Sequence, residues 1–169
     1  CPMPRHSFVA ALLFCCGIAP VQAQQAEPVP VEVFPFELED KSAGAGIVPP
    51  DDYDRRYLAE AAKVARDMFA ETGRYTLVTN PADSATAPAT EPLRHCGGCE
   101  AGIARSHGAS LAVLGVVTRV NRTEHTMFIR VLDVHTGKPV AVSFTDLRMG
   151  ANHAWPRTAK WLMKNRILK

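Results

Sequence analysis

The clearest periodic pattern lies between residues 51 and 72, where apolar side chains recur at three- and four-residue spacing and predict an amphipathic helix. Its apolar positions are Leu58, Ala61, Ala62, Ala65, Met68 and Phe69. Asp51 or Asp52 is suited to cap the first turn, because a carboxylate accepts hydrogen bonds from the free N–H groups there. Gly73 is suited to end the helix.

A strand pattern precedes this helix at residues 31–38. Apolar side chains occupy both the odd and the even positions of this segment, so both faces of the strand are expected to be covered. Phe34, Phe36 and Leu38 are expected on one face. Pro35 has no amide proton to donate to a neighbouring strand. This strand is therefore expected either to lie at an edge of the sheet or to carry a bulge at Pro35.

Four further strand patterns follow the helix, at residues 75–79, 109–120, 126–134 and 140–147. Residues 109–120 are apolar at both parities, which is typical of a strand in the centre of a sheet. Residues 135–138 are typical of a hairpin turn between the last two strands.

Shorter helix patterns occupy residues 100–107 and the C-terminal segment. The C-terminal helix is expected to begin at Asn152 or His153, because Pro156 then falls in its first turn. The predicted order of elements is β-α-β-α-β-β-β-α. The fold class is α/β (α+β), with a single mixed sheet of about five strands and helices packed on it.

The N-terminal residues have the order of parts of a secretory signal peptide. Arg5 precedes a short apolar run, residues 7–18, and a small-x-small cleavage site follows. The run is shorter than the ~20 residues that a permanent membrane helix needs. We therefore expect residues 1–23 to be removed on export to the periplasm, residues 24–30 to form a tether and residues 31–169 to form a single α/β domain.

The charge balance argues against nucleic-acid binding, because a formal net charge of +2 is far from the basic excess of such proteins.

Cys15 and Cys16 suggest lipoprotein processing, but neither follows the small residue that such processing favours. Removal of the signal peptide leaves only Cys96 and Cys99. In an oxidising compartment a disulfide is the default state of such a pair.

The Cys96-Gly-Gly-Cys99 motif permits three interpretations. A structural disulfide that braces the loop against the following helix is favoured. In a thiol-disulfide redox protein, Cys96 would be the attacking thiolate and Cys99 would resolve the mixed disulfide, but redox folds place the motif directly after a strand. In a metal-binding carrier, His95, Cys96 and Cys99 would be ligands. His107 lies too far along the helix to join them.

A second candidate site is the C-terminal helix, where Trp155 and Arg157 form a possible recognition patch and His95 is a further candidate binding residue. The alternative is that Trp161 and Leu162 pack on the sheet while the cations of the helix are solvated. The sequence contains no nucleotide-binding, nucleophile-elbow or zinc-protease motif, so no cofactor is expected and a binding role is favoured over catalysis.

Three stretches together resemble a known family: VFPFELEDKS, CGGCEAGIARSHGASLAVLGVVTRVN and RVLDVHTGKPVAVSFTDLRMGANHAWPRTAKWLMKNRI. They resemble an uncharacterised family of exported proteobacterial proteins, a domain of unknown function, in which the cysteine pair and a terminal Trp-x-Arg pattern recur. Trp155 and Arg157 match that pattern. The resemblance implies no activity, and it implies a periplasmic quinoprotein dehydrogenase system as a partner. The order of elements is similar to that of the N-terminal domain of TolB, an interaction module.

These observations lead to one functional hypothesis with two alternatives. We expect an exported periplasmic accessory protein that acts through protein–protein interaction and carries a structural Cys96–Cys99 disulfide. The alternatives are a thiol-disulfide redox protein and a periplasmic metal-binding carrier. The expected partner is a periplasmic or envelope protein, without nucleic acid and without a permanent membrane span.

Overall fold

The structure is a computed structural model that describes residues 26–79, 92–147 and 154–169. The strands are β1 (Val29–Val33), β2 (Glu37–Asp40), β3 (Tyr75–Leu77), β4 (Leu111–Arg119), β5 (His125–Asp133) and β6 (Pro139–Leu147). The helices are α1 (Asp52–Glu71), α2 (Cys99–Ser106) and α3 (Trp155–Leu162). A 3-10 turn, Leu93–His95, precedes α2, and a π-helical turn, Met163–Ile167, continues α3. The predicted order of elements is confirmed, with the first strand divided into β1 and β2.

Some predictions fall on residues outside these ranges. The signal peptide (residues 1–23), most of the loop after β3 (residues 80–91) and the predicted start of the last helix at Asn152 or His153 lie outside the described residues. Val29 and Pro30, which were assigned to the tether, belong to β1 and pair with β3.

A single mixed sheet has the strand order β3-β1-β4-β5-β6, and β2 pairs with the second half of β4. The strands β3, β1, β2 and β4 are parallel where they pair, whereas β4, β5 and β6 form antiparallel pairs. Because β4 has neighbours on both sides, its predicted central position is confirmed. Among the described strands, β6 lies at one edge of the sheet and β3 at the other.

Pro35 produces a bulge between β1 and β2. Val33 pairs with Val113 and Glu37 pairs with Val116, so three residues of the first strand face two residues of β4. One extra residue moves every following side chain to the other face of the sheet. Phe36 therefore packs in the cluster that contains Val33, while Phe34 packs on the opposite face. The prediction that Phe34, Phe36 and Leu38 share a face is wrong for this reason.

Gly115 makes room for this bulge. A Cβ atom at this position would lie 2.4 Å from ring atoms of Phe36, which is far inside van der Waals contact. The central strand therefore needs a residue without a side chain where the Phe36 ring crosses it.

The helix α1 begins with a reciprocal capping box. The Asp54 N–H donates to the Asp51 side chain at 2.8 Å, and the Asp51 N–H donates to the Asp54 side chain at 3.2 Å. Gly73 follows the helix in a left-handed conformation. Both predicted helix boundaries are confirmed. The buried apolar residues of α1 are Tyr57, Ala61, Ala62, Ala65 and Phe69, which pack on one face of the sheet together with α3.

The opposite face of the sheet is covered only in part. The α2 residues Ala101 and Ala104 pack there in a cluster with Leu114 and Leu132. Farther along the same face, Phe144 on the edge strand β6 is 71% exposed. The uneven cover leaves apolar side chains of the edge strand in solvent.

Candidate interaction surface

The Cys96–Cys99 disulfide closes the junction between the 3-10 turn and α2, with a sulfur–sulfur distance of 2.03 Å. Gly97 and Gly98 lie between the cysteines with φ values of 69° and 107°, a region that favours glycine. Cys96 is half-buried and Cys99 is exposed. The two glycines thus allow the short ring to form at the start of the helix.

A buried ion pair lies directly beneath this disulfide. The Glu100 side chain is fully buried and pairs with the Arg130 guanidinium on β5. One Glu100 oxygen is 3.8 Å from the Cys96 sulfur. A thiolate at Cys96 would face this carboxylate, and like charges oppose ionisation. The Cys99 N–H donates to the same sulfur at 3.1 Å, and a donor at the start of a helix favours a thiolate, so the two contacts act in opposite directions.

A second carboxylate fastens the 3-10 turn to the sheet. The Glu37 side chain accepts hydrogen bonds from the backbone N–H groups of Leu93 at 2.8 Å and Arg94 at 3.1 Å, and from the Arg94 guanidinium at 3.1 Å. Glu37 reaches this turn because the bulge at Pro35 places it on the α2 face of the sheet. The junction is thus held on both sides, by Glu37 and by the disulfide.

The predicted metal ligands are not assembled around one point. His95 Nε2 is 3.7 Å from a Glu39 oxygen, and His107 Nδ1 is 2.9 Å from a Glu32 oxygen. Among the described residues, the only group of three or more metal-type ligand atoms within 4.8 Å of one another comes from Cys96, Cys99 and Glu100. Because both sulfurs are bonded to each other, neither is available to a metal ion as a thiolate.

The structure separates Trp155 from Arg157. Trp155 is 1% exposed, and its ring forms edge contacts with Tyr57 at 6.3 Å and His125 at 5.8 Å between centroids. Arg157 is exposed, and the tryptophan that accompanies it at the surface is Trp161, which is 48% exposed. The expectation that Trp161 packs on the sheet is wrong, because positions 155, 159 and 162 form the inward side of α3.

A groove runs between the edge strand β6 and the exposed side of α3. It encloses a cavity of about 240 Å³. Its lining residues are Thr145, Asp146, Ala154, Arg157, Thr158 and Trp161. The Arg166 guanidinium lies 5.7 Å from the centre of the Trp161 ring, within the range of a cation–π contact.

The other face of β6 is apolar and uncovered. Val140, Val142 and Phe144 are 62%, 53% and 71% exposed. Phe144 pairs across the strands with Phe128, and Val142 pairs with Arg130. Natural edge strands are normally protected by charged residues, and β6 carries a single one, Asp146 near its end. We define the β6–α3 surface as this strand together with Arg157 and Trp161.

Positive charge is concentrated on the C-terminal segment that contributes one side of the groove. The segment 155–169 contains five cations and no carboxylate side chain: Arg157, Lys160, Lys164, Arg166 and Lys169. All five are exposed. None of them forms an ion pair with a carboxylate side chain in the described part of the chain. This strong local charge contrasts with the small net charge of the whole chain.

A larger cleft of about 630 Å³ lies where β2 and β4 end and α1 begins. Arg119 lines it and bridges two carboxylates, Asp40 and Asp54. His125 also lines this cleft and is 1% exposed. Burial, together with the nearby Arg119 cation, lowers the pKa of His125, although the carboxylates of Asp54 and Asp40 act in the opposite direction. The histidine is therefore neutral at neutral pH.

Sequence reasoning did not identify this cleft or the β6–α3 surface. In the sequence, Asp54 is one of three acidic residues at the start of the predicted helix and His125 lies between two predicted strands, so neither indicates a shared cleft. Their approach depends on the topology, which places the ends of parallel strands beside the start of α1. In the structure, His125 Nδ1 and Trp155 Nε1 are buried without a hydrogen-bond partner.

A family model described as "Protein of unknown function (DUF2380)" matches residues 30–167. The protein therefore belongs to this family, which confirms the resemblance found in the sequence. No curated protein matches the chain in sequence. In the described residues, no helix is long and apolar enough to cross a membrane.

Several solved structures are similar in fold. The C-terminal domain of LpoB from Salmonella enterica is 16% identical over 76% of this chain and 87% of its own, with a TM-score of 0.45. The lipoprotein GNA1162 from Neisseria meningitidis is 16% identical over 74% and 84%, with a TM-score of 0.48. TolB from Acinetobacter baumannii is 11% identical over 82% and 29%, with a TM-score of 0.47. These similarities concern the fold alone.

Proposed function

We propose that this protein is an exported accessory protein that acts by binding another protein of the bacterial envelope. The observation that carries the proposal is the uncovered edge strand β6, with Val142 and Phe144 exposed on one side and the Trp161 groove on the other. Aromatic and aliphatic side chains grouped at a surface are typical of protein–protein contacts.

The free energy of burying apolar side chains favours a β6 that is covered by a partner over a β6 that is exposed to solvent. Full burial of a Val or Phe side chain contributes about 1.5–3 kcal/mol. A partner that covers Val142, Phe144 and Trp161 therefore gains several kcal/mol before the cost of association is counted. A tryptophan beside arginines, such as Trp161 with Arg157 and Arg166, is also the composition of binding hot spots.

Export is supported by two features of the chain. Residues 1–23 have the pattern of a signal peptide, and Cys96 and Cys99 form a disulfide, a bond that persists in oxidising compartments. We place the protein in the periplasm for these reasons. A quinoprotein dehydrogenase system, which the family resemblance implies, is the first partner to test.

The disulfide has a structural role in this proposal. It holds the 3-10 turn and α2 together, next to the Glu37 and Glu100 carboxylates. Redox catalysis is the less favoured alternative because the cysteine pair follows a 3-10 turn, whereas redox folds place this motif directly after a strand. Metal carriage needs the reduced pair, with Glu100 in place of the predicted His95 as the third ligand.

The proposal is tested by comparing Phe144→Asp with Tyr53→Asp. Both residues are exposed aromatics, at 71% and 62%, but Tyr53 lies in the first turn of α1, outside the β6–α3 surface. Tagged protein is purified from envelope fractions, and each co-purified candidate is then assayed with purified components. We expect a direct partner that binds the wild-type protein and Tyr53→Asp, and binds Phe144→Asp at least ~10-fold more weakly. Equal binding to all three proteins would refute a role for β6.

A further inference from the structure

We infer that the partner presents an extended, acidic segment that adds a strand to the outer edge of β6. This inference rests on the proposed function and names the chemistry of the segment that the β6–α3 surface takes. Three observations support it: the unpaired edge of β6, the different chemical character of the two faces of β6, and the distribution of charge on α3.

The free edge determines the conformation of the bound segment. β6 is nine residues long and pairs with β5 on one side only among the described strands. The outer side of such a strand offers alternating N–H and C=O groups, and an added strand satisfies them. Loop or helical segments do not match this spacing.

The two faces of the sheet beside β6 determine which side chains of the bound segment are favoured at each position. Side chains of an extended segment alternate between the two faces of the sheet. On one face they meet Val142 and Phe144, which are exposed and apolar. On the other face they meet the groove, which Trp161, Arg157 and Thr158 line on the α3 side and Asp146 lines on the β6 side. An alternation of apolar and acidic residues therefore fits the surface best.

The charge of α3 determines the sign of the partner. Residues 155–169 carry five exposed cations without a carboxylate side chain among them. Opposite charges within a Debye length of ~8 Å attract at physiological salt, whereas like charges repel. Glu or Asp side chains that enter the groove on its α3 side would be close to Arg157, which lines the groove beside Trp161.

The same charges disfavour a second copy as the occupant. Two-fold pairing of β6 with β6 of another copy extends the sheet and keeps corresponding faces on the same side. The α3 helices of the two copies would then lie on one side of the extended sheet. Each would bring its five cations toward those of the other copy.

An anionic lipid surface is also disfavoured, because α3 has no exposed apolar face to insert. Trp155, Ala159 and Leu162 are buried in the core, at 1%, 0% and 0% exposure. An interfacial helix binds lipid by burying such a face in the membrane. Trp161 alone remains exposed among the large apolar residues of the described C-terminal segment.

The inference is tested with a synthetic peptide in which Glu and Val alternate, and with a matched peptide of Lys and Val. Fluorescence anisotropy measures the binding of each peptide to the purified protein. We expect the acidic peptide to bind and the basic peptide not to bind. The double variant Arg157→Glu with Lys160→Glu is expected to bind the acidic peptide about 10-fold more weakly. The control, Arg105→Glu with Arg122→Glu, changes the net charge equally at exposed positions on other elements and is expected to keep the affinity.

Hydrogen exchange distinguishes strand addition from a purely electrostatic contact. Saturation with the acidic peptide is expected to slow amide exchange in residues 139–147, because outward N–H groups of β6 become hydrogen-bonded. Unchanged exchange in β6, or equal binding of both peptides, would overturn the inference.

Three further results would also overturn the inference. The first is failure of the acidic peptide to bind while Phe144→Asp still loses its partner, which would leave the proposed function intact. The second is charge-dependent binding to phosphatidylglycerol vesicles without peptide binding, which would identify a lipid surface. The third is a dimer, detected by light scattering, that dissociates in the Phe144→Asp variant, which would identify a second copy of the chain as the occupant.

Discussion

Single residues determine which face of the sheet the following side chains occupy. Pro35 adds one residue between β1 and β2, so Glu37 and Glu39 point toward α2 while Phe36 and Leu38 point toward α1. The sequence indicates that Pro35 disturbs the strand, but both an edge position and a bulge satisfy the missing N–H. The face of the sheet on which Phe36 lies therefore follows only from the pairing of β1 and β2 with β4.

Gly115 is expected to be essential to this arrangement. Gly115→Ala places a Cβ atom 2.4 Å from Phe36, so overpacking should lower the free energy of unfolding by about 1–3 kcal/mol or more. Urea denaturation measures the loss. The control is Gly102→Ala in α2, where no atom lies within 4 Å, and where alanine should raise stability by roughly 0.5–1 kcal/mol. A neutral effect at Gly115 would contradict the position of Phe36.

His125 is expected to make stability depend on pH. Its pKa is lowered in the folded state, so below about pH 6.5 the unfolded chain binds a proton that the folded chain does not. The free energy of unfolding should therefore fall as the pH falls from 6.5 toward the folded pKa, and should gain nothing from this group above 6.5.

The measurement is urea unfolding at a series of pH values for the wild-type protein and for His125→Phe, which keeps an aromatic ring in the core. The variant should lose this part of the pH dependence. His135→Gln, at an exposed hairpin position, serves as the control and should keep it. Identical pH profiles for the wild-type protein and His125→Phe would show that His125 does not titrate differently on folding.

At the scale of elements, α1 and the central strand β4 could be predicted because local signals agree with their environment. The α1 pattern combines apolar periodicity, the acidic cap of Asp51 and the stop at Gly73, and all three are present in the structure. The buried side of α3 could not be predicted from the sequence, since the apolar pattern does not distinguish which of its two tryptophans faces the core. Only packing against Tyr57 and His125 shows that Trp155 is the buried one.

The junction before α2 is expected to depend partly on its disulfide. Replacement of Cys96 and Cys99 by serine should lower the free energy of unfolding by about 2 kcal/mol or less, because a short ring constrains the unfolded chain only weakly. Thermal or urea unfolding measures the difference. The variant should still bind the partner, since β6 and α3 lie outside this junction. Loss of a thiol-disulfide exchange activity in the variant would instead support the redox alternative.

At the scale of the whole molecule, the sheet is covered by α1 and α3 on one face and only in part by α2 on the other. The β6–α3 surface results from this uneven cover, and it combines residues from separate parts of the chain. Sequence patterns show that strand 140–147 and the terminal helix exist, but they do not show that Trp161 and Thr145 line one groove. For that reason the candidate surface was found only in the structure, while Arg157 was already a candidate in the sequence.

The most direct test of the central claim is photo-crosslinking from position 144 in living cells. A photoreactive amino acid replaces Phe144 in one strain and Tyr53 in a second strain, and crosslinked proteins are identified by mass spectrometry. We expect position 144 to capture a specific envelope protein with an extended acidic segment, and position 53 not to capture it. Equal capture of the same proteins from both positions, or capture of only a second copy at position 144, would contradict this expectation.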